Sequence, residues 1–160
     1  MSGEKQANRR IRLLLAVFVL AQLVPVDRTN PPGGGDVAAP PEVRAILKRA
    51  CDDCHSSETV WPWYSRVAPV SWLIARDVRE GRREVNFSIF TTYPDKRRQR
   101  KWKEIPEQIE KGEMPPWFYT AVHSEARLSD GDRAALLRWA AEGGRLEGRL
   151  EASAPAPPVR

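Results

Sequence analysis

The sequence predicts a mainly α-helical domain, because apolar residues recur at helical spacing in three separate stretches. Residues 42–50 form a helix-like apolar stripe that leads directly into Cys51. Pro69, a good first residue for a helix, opens a second pattern, whose apolar positions are Val70, Leu73, Ile74 and Val78. A third pattern begins after Ser129. We therefore expect one helix near each end of the domain and another between them.

The last of these helices has sequence signals at both ends. Ser129 is a good N-cap, and Asp130 and Asp132 place negative charge in the first turn. The Gly-Gly pair at 143–144 predicts that the helix ends after Glu142. The apolar face of the helix consists of Ala135, Leu136, Trp139 and Ala140.

Residues 51–55, which read Cys-Asp-Asp-Cys-His, are the most informative stretch of the chain. This is the C-x-x-C-H pattern of covalent c-type haem attachment, and it contains both cysteines and one of the 2 histidines. Two thiols at this spacing can each add to a vinyl group of one porphyrin, and the adjacent imidazole then lies beneath the iron. The pattern predicts one covalently bound haem c, attached to Cys51 and Cys54, with His55 as the proximal iron ligand.

Other interpretations of the cysteines explain less. A dithiol redox centre needs a strand that leads into a helix with the pair at its N-terminus, whereas a helical pattern precedes Cys51 here. A structural zinc site needs four ligands, and only His123 and acidic residues remain to complete one. A simple disulfide leaves His55 without a role. Haem is favoured, and a haem-free dithiol protein stays as an alternative.

The N-terminus has the features of an export signal, which attachment of haem by thioethers requires in bacteria. Four basic residues, within residues 5–12, precede an apolar run over residues 13–26 that only Gln22 and Pro25 interrupt. The positive-inside rule keeps the basic end in the cytoplasm and places the domain on the periplasmic side of the inner membrane. The run is short for a spanning helix, and Val-Leu-Ala at 19–21 is a weak cleavage site. A membrane anchor is favoured over a cleaved signal, which would release the protein into the periplasm.

These observations divide the chain into four parts. Residues 1–26 are the signal or anchor segment, residues 27–40 a turn-rich linker, residues 41–143 the haem c-binding domain, and residues 144–160 a tail that is expected to be disordered. A domain of about 100 residues buries only a modest core. A porphyrin at its centre would supply much of the missing apolar surface.

Aromatic residues follow the haem motif closely, at Trp61, Trp63, Tyr64 and Trp72. Large flat side chains with one polar tip suit the wall of a porphyrin site, since they bury a large area and can still donate a hydrogen bond to a propionate. Ordinary core packing is the alternative. Arg76 could neutralise a propionate, because its fork of donors matches a carboxylate, or it could be merely solvated.

Two residues compete to be the sixth iron ligand. Met1 belongs to the leader, so Met114 is the remaining thioether, and His123 is the remaining imidazole. Glycine and two prolines flank Met114 in Gly-Glu-Met-Pro-Pro, which predicts a stiff, extended loop that presents the sulfur with little entropy left to lose. We favour Met114 and keep His123 as the alternative.

The choice of ligand decides the chemistry. His/Met ligation raises the reduction potential and closes both axial positions, which suits outer-sphere electron transfer. An open iron beside His123 as a distal acid or base would instead suit a haem peroxidase or a gas or redox sensor. A carrier of single electrons, with no catalytic residue of its own, is the favoured function.

Several further stretches carry a resemblance to a known family. In chain order they are residues 51–56, 59–65, 68–73 and 85–88, followed by Met114, Tyr119, His123 and Trp139. In this succession residues 41–141 resemble the small bacterial haem-binding domain family, Haem_bd, and the order of helices, C-x-x-C-H and Met-Pro is similar to single-haem cytochrome c domains. The resemblance implies haem c and an envelope location, and it implies little about the reaction.

The formal net charge of +5 comes largely from one region. The basic residues there are Arg82, Arg83, Lys96, Arg97, Arg98, Arg100, Lys101 and Lys103. Such a patch could steer an acidic redox partner protein to the domain, lie against anionic lipid, or be a solvated helix face. Nucleic acid is not an expected partner for an exported domain.

Overall fold

A computed structural model describes residues 2–153 of the chain and the side chains of residues 4–146. The described part is mainly helical and contains no strand, so the predicted fold class is confirmed in its coarse form. The helices are α1 (Ser2–Ala21), α2 (Pro41–Ala50), α3 (Asp52–His55), α4 (Val70–Glu84), α5 (Asp95–Glu110), α6 (Trp117–Val122) and α7 (Asp130–Ser153). Three short 3₁₀ turns join them, at Trp63–Arg66, Phe87–Thr92 and Ser124–Ala126.

The core lies where α5 and α2 both pack against α7. Each of these helices buries one apolar stripe, and Leu47 of α2, Leu136 of α7 and Phe90 of the intervening turn are the largest fully buried apolar side chains. Aromatic rings join the layers edge to face: Trp102 lies 4.9 Å from Phe90 and 5.0 Å from Trp139 between ring centroids. The buried stripes confirm the helical patterns predicted for α2 and α7.

The start of α7 matches the prediction, and its end does not. Ser129 Oγ accepts the N–H of Asp132 at 3.1 Å, while the Asp132 carboxylate accepts from the Ser129 N–H and hydroxyl, which forms a reciprocal cap. The predicted stop after Glu142 is wrong, because α7 continues to Ser153. Residues 144–153 are therefore helical, and residues 154–160 of the predicted disordered tail lie outside the described residues.

Close packing explains the glycine that was taken for a helix stop. A Cβ on residue 143 would lie 2.6 Å from two ring carbons of Trp102, well inside van der Waals contact. Trp102 in turn is held between Phe90 and Trp139, so its ring has little room to move. Gly143 thus allows α5 to pack closely on α7, and α7 continues through this glycine without ending.

The N-terminal region begins with α1, whose apolar side chains from Ile11 to Leu20 are exposed. None of the helices in the described part of the chain combines the length and the apolarity needed to cross a membrane. At its end, the side chain of Gln22 accepts the N–H of Ala68 at 2.9 Å and donates to the Ala68 carbonyl at 3.4 Å. This pairing connects the end of α1 to the residues just before α4.

The predicted linker has no regular structure from residue 25 to residue 40, yet it is bonded to the domain along its length. Arg82 of α4 donates to the Thr29 carbonyl at 2.9 Å and to Asn30 Oδ1 at 2.7 Å. Further along, the Val37 N–H bonds to the Phe87 carbonyl at 2.8 Å. We call residues 27–38 the strap, because they lie across the domain rather than hanging free.

We predict that Gly143→Ala destabilises the domain, because the new methyl group would overlap the Trp102 ring in a core with no room to relax. The expected loss is about 1–3 kcal/mol in the free energy of unfolding, measured by denaturant titration. The matched control is Gly131→Ala in the first turn of the same helix, where the nearest atom to a new Cβ is 3.7 Å away. An equal effect of the two substitutions would show that close packing is not the reason for Gly143.

Candidate functional site

The C-x-x-C-H residues form a single helical turn of their own after α2. Cys51 closes α2 through its N–H to the Leu47 carbonyl at 2.8 Å, and the carbonyl of Cys51 then accepts the N–H groups of Cys54 at 3.1 Å and His55 at 2.9 Å. Both cysteines are free thiols and half-buried. The pair therefore lies at the end of one helix, as the sequence predicted, and Cys54 lies within a second short helix that was not predicted from the sequence.

The imidazole of His55 is held by backbone carbonyls at the C-terminal end of α4 and at its C-cap. Its Nδ1 lies 3.0 Å from the Gly81 carbonyl oxygen and 3.1 Å from the Val85 carbonyl oxygen. Since carbonyl oxygens only accept, Nδ1 carries the proton, and Nε2 keeps its lone pair. Burial lowers the pKa of His55, so the ring stays neutral. A neutral imidazole whose other nitrogen is fixed by a carbonyl is the arrangement typical of a metal ligand.

Gly81 allows α4 to reach the motif. A Cβ at this position would lie 2.5 Å from the carbonyl oxygen of Cys54 and 3.0 Å from its Cβ. No side chain larger than hydrogen fits without moving α4 away from the motif, which would take the His55 acceptors with it. The sequence offered a signal here, because an isolated glycine inside a helical pattern usually has a packing reason.

The two thiols are unsuited to dithiol exchange. Burial, with the charge of the adjacent Asp52, raises the pKa of Cys51 to about 12, and burial with the charge of Asp53 raises the pKa of Cys54 to about 12. Dithiol redox centres depend on the opposite shift, because the thiolate is the nucleophile. The haem-free dithiol alternative therefore lacks the environment that it needs.

Asp53, inside the motif, connects it to two other parts of the chain. Its Oδ1 accepts the N–H of Val60 at 2.9 Å, and its Oδ2 accepts the hydroxyl of Tyr119 on α6 at 2.7 Å. Burial and the bond to the Asp53 carboxylate raise the pKa of Tyr119. This contact spans 66 residues of sequence and brings α6 to the motif.

His123 lies at the end of α6 within a second polar cluster. The Tyr64 hydroxyl lies 2.7 Å from its Nε2, and Glu125 Oε1 lies 3.3 Å from its Nδ1. The ring is also stacked on Tyr119, with 4.4 Å between centroids. Nδ1 carries the proton and faces the Glu125 carboxylate, which can only accept, so Nε2 accepts the Tyr64 hydroxyl. His123 would have to give up the bond to Tyr64 in order to bind iron.

The other predicted site residues differ in their exposure and in their partners. Met114 is 38 % exposed at the end of a loop, and its N–H bonds to the Gln108 carbonyl at 3.3 Å. Trp63 is 77 % exposed, whereas Trp61 buries its indole Nε1 without a hydrogen-bond partner among the described residues. Arg76 is exposed and pairs with Glu80 one turn away on α4 at 3.3 Å.

The basic region is only partly a solvated surface. Lys101 is buried and pairs with Glu104 at 2.6 Å and Glu84 at 3.3 Å. Arg82 holds the strap, and Arg97 stacks over the Tyr93 ring at 3.9 Å. The exposed members are Arg83, Lys96, Arg100 and Lys103. The predicted patch is thus smaller than the sequence indicated, because folding uses several of its charges internally.

Exposed large apolar side chains concentrate in two segments, one that follows the motif in sequence and one that contacts it through the bond from Tyr119 to Asp53. Between residues 25 and 145, all exposed large apolar residues lie in two short segments, 60–73 and 114–122. They are Val60, Trp63, Val70, Trp72, Leu73, Met114, Trp117, Phe118 and Val122. Such a concentration marks a binding surface. Two thiols, a neutral imidazole and these exposed apolar side chains together fit a haem.

Comparison with known proteins agrees with this geometry. The family model described as "Haem-binding domain" (Haem_bd) matches residues 16–142. The chain is also similar to cytochrome c peroxidase Ccp of Escherichia coli (strain K12), with 29 % identity over 100 residues, which is 61 % of this chain and 22 % of the relative. The chain thus spans less than a quarter of the length of that relative. No solved structure gave a significant match.

The family match covers well over half of the chain and contains the C-x-x-C-H turn, α4 and the segment with Met114. Its cofactor is accordingly a haem. The chain belongs to the Haem-binding domain family, Haem_bd.

Proposed function

We propose that this protein is a single-haem c-type electron carrier on the periplasmic side of the inner membrane. The observation that carries the proposal is the His55 environment, in which the carbonyls of Gly81 in α4 and Val85 at its C-cap hold Nδ1 and leave the Nε2 lone pair for iron. Cys51 and Cys54 would anchor the porphyrin through thioethers. A haem bound in this way supplies reversible one-electron chemistry at its iron.

The remaining site residues would enclose and orient the cofactor. The exposed Trp63 and the half-buried Tyr64 are proposed to cover the porphyrin, and the unpartnered Nε1 of Trp61 supplies a donor for a propionate. Arg76 would release its exposed partner Glu80 and pair with a haem propionate instead, which would neutralise the propionate charge. Burial of these surfaces excludes water from the iron and favours the reduced, less charged state.

Met114 is the proposed sixth ligand. Its side chain is accessible, and the prolines that follow it restrict the loop, so little entropy is lost when the sulfur binds. His123 has both ring nitrogens in hydrogen bonds, which makes it the weaker candidate. His/Met ligation would leave no open position on the iron and would suit electron transfer.

Export and docking complete the proposal. Residues 1–26 are proposed to direct the chain across the inner membrane and either to keep it there or to be removed. The exposed charges of Arg83, Lys96, Arg100 and Lys103 would steer an acidic redox partner to the domain. Association of this kind is weak and falls with ionic strength.

A second candidate function is peroxide chemistry or ligand sensing at the iron. It is favoured by the similarity to cytochrome c peroxidase Ccp and by the pairing of His123 with Glu125, which resembles an acid/base group held by a carboxylate. This function requires an open or easily opened distal position. Carbon monoxide binding to the ferrous protein distinguishes it from the carrier.

We predict that protein exported to the periplasm gains the mass of one haem, which stays attached after denaturation because thioether bonds hold it. Intact mass spectrometry and the pyridine haemochrome spectrum measure this. The double variant Cys51→Ser/Cys54→Ser should lose the covalent mass, and a chain that lacks residues 1–26 should stay colourless. Full-length exported protein without the added mass would overturn the proposed attachment.

We predict that Gly81→Ala impairs haem binding through His55. The new Cβ would overlap the Cys54 carbonyl oxygen and displace α4, and with it the two carbonyls that accept from His55. We expect haem occupancy to fall, and the free energy of unfolding to drop by about 1–3 kcal/mol. The haem-to-protein ratio and the denaturant midpoint report these two effects. Gly131→Ala is the control, and normal occupancy in Gly81→Ala would show that the approach of α4 is not required.

We predict that Met114→Ala abolishes the far-red charge-transfer band that sulfur–iron ligation gives to the ferric spectrum, and opens the ferrous iron to carbon monoxide. His123→Ala should keep the band. If the parent protein lacks the band and binds carbon monoxide at once, the second candidate function is correct and the carrier proposal fails.

A further inference from the structure

The segment that carries Met114 makes little contact with the rest of the domain. Helix α6, which begins three residues after Met114, buries none of its residues, and Trp117, Phe118 and Val122 are at least half exposed. It packs on the turn Ser124–Ala126, which in turn packs on α2. Apolar burial therefore does not hold this helix in place, and its polar contacts gain importance.

Hydrogen bonds hold the segment that carries Met114 on two sides. On the α5 side, the N–H groups of Glu113 and Met114 bond to the Gln108 carbonyl at 3.0 and 3.3 Å. On the other side, Tyr119 donates to Asp53 at 2.7 Å within the C-x-x-C-H turn. The two prolines between these points have no N–H to donate. Among the residues that the structure describes, the Tyr119 hydroxyl makes the hydrogen bond that connects α6 directly to the C-x-x-C-H motif.

We propose that the Tyr119–Asp53 hydrogen bond is a latch on the segment that bears Met114, which would help this residue to remain the sixth ligand of a bound haem, so that loss of the bond would open the iron to small diatomic ligands. The inference rests on the proposed function, in which Met114 is the sixth ligand. Tyr119 is a positioning residue: it touches Asp53 and the ring of His123, and it acts on the iron through the segment that bears Met114.

The chemistry of the bond suits such a role. A phenol that donates to a carboxylate forms a charge-assisted hydrogen bond, which is stronger than a neutral one. Asp53 is itself fixed, because its Oδ1 holds the Val60 N–H at 2.9 Å and its carbonyl accepts the Thr59 hydroxyl at 2.6 Å. The acceptor therefore moves with the motif and couples the position of the haem-binding turn to α6.

The test compares haem-loaded Tyr119→Phe with the parent protein. The phenyl ring keeps the stack on His123 and loses only the hydroxyl. We expect the ferrous variant to bind carbon monoxide about tenfold faster or more, in line with the loss of a hydrogen bond to a charged group, and to show a weaker far-red band. Asp53→Ala should have a similar effect, and Asp53→Asn, which keeps one acceptor oxygen but loses the charge, should give a carbon monoxide rate between those of the parent and Asp53→Ala.

Two further variants separate a latch from general destabilisation. Thr120→Val removes a hydroxyl from the same helix that bonds to the Trp117 carbonyl, and it should leave the carbon monoxide rate unchanged. The double variant Tyr119→Phe/Asp53→Ala should be no faster than Asp53→Ala alone, because Asp53→Ala already removes the acceptor of the Tyr119 hydroxyl. If the Tyr119→Phe chain does not acquire haem, the carbon monoxide rate of Asp53→Ala decides between a latch and general destabilisation.

The outcomes distinguish this inference from the function on which it rests. A parent protein without the far-red band disproves Met114 ligation. A parent with the band, together with Tyr119→Phe and Asp53→Ala variants that match its carbon monoxide rate, leaves the carrier proposal intact and overturns the latch.

Discussion

The contact between α4 and the C-x-x-C-H turn is the constraint on which the site depends. Gly81 lets the backbone of α4 come within reach of Cys54, and the carbonyls of Gly81 and Val85 then hold Nδ1 of His55. One close approach of two helices therefore fixes the orientation, the tautomer and the charge of the imidazole at the same time. The ring is thereby prepared to bind a metal through Nε2.

The core and the site use different kinds of interaction. On the α5–α7 side, Phe90, Trp102 and Trp139 interlock, and this packing needs no cofactor. Around the motif, hydrogen bonds from Arg82, Tyr119 and Tyr64 arrange the strap and α6, while large apolar side chains remain exposed. A flat apolar cofactor would bury that surface and add hydrophobic stabilisation that the protein chain alone does not provide.

Local signals in the sequence predicted the parts of the fold that depend on local chemistry. The helix that ends at the cysteines, the start of α4 after Pro69 and the cap at Ser129 all follow from residues adjacent in the chain. The predicted end of α7 was wrong, because glycine marks both helix ends and close packing, and only the position of Trp102 shows which applies. Nearby residues cannot reveal that distant contact.

The site was predictable to a similar extent. The spacing of the motif indicated its cofactor, and the family match agrees that the domain binds haem. By contrast, the burial of Lys101 beside Glu84 and the bond between Tyr119 and Asp53 join residues that are far apart in sequence. Such contacts exist only after the helices have packed, so the composition of the basic region overstated its exposed charge.

A crystal structure of the haem-loaded protein would show the orientation of His55, from which the rest of the proposed site follows. We expect Nε2 to bind the iron while Nδ1 stays within hydrogen-bond distance of the Gly81 and Val85 carbonyls, with thioether bonds to Cys51 and Cys54. An iron bound through Nδ1, or an imidazole turned away from the metal, would disprove the role assigned to the contact between α4 and the motif.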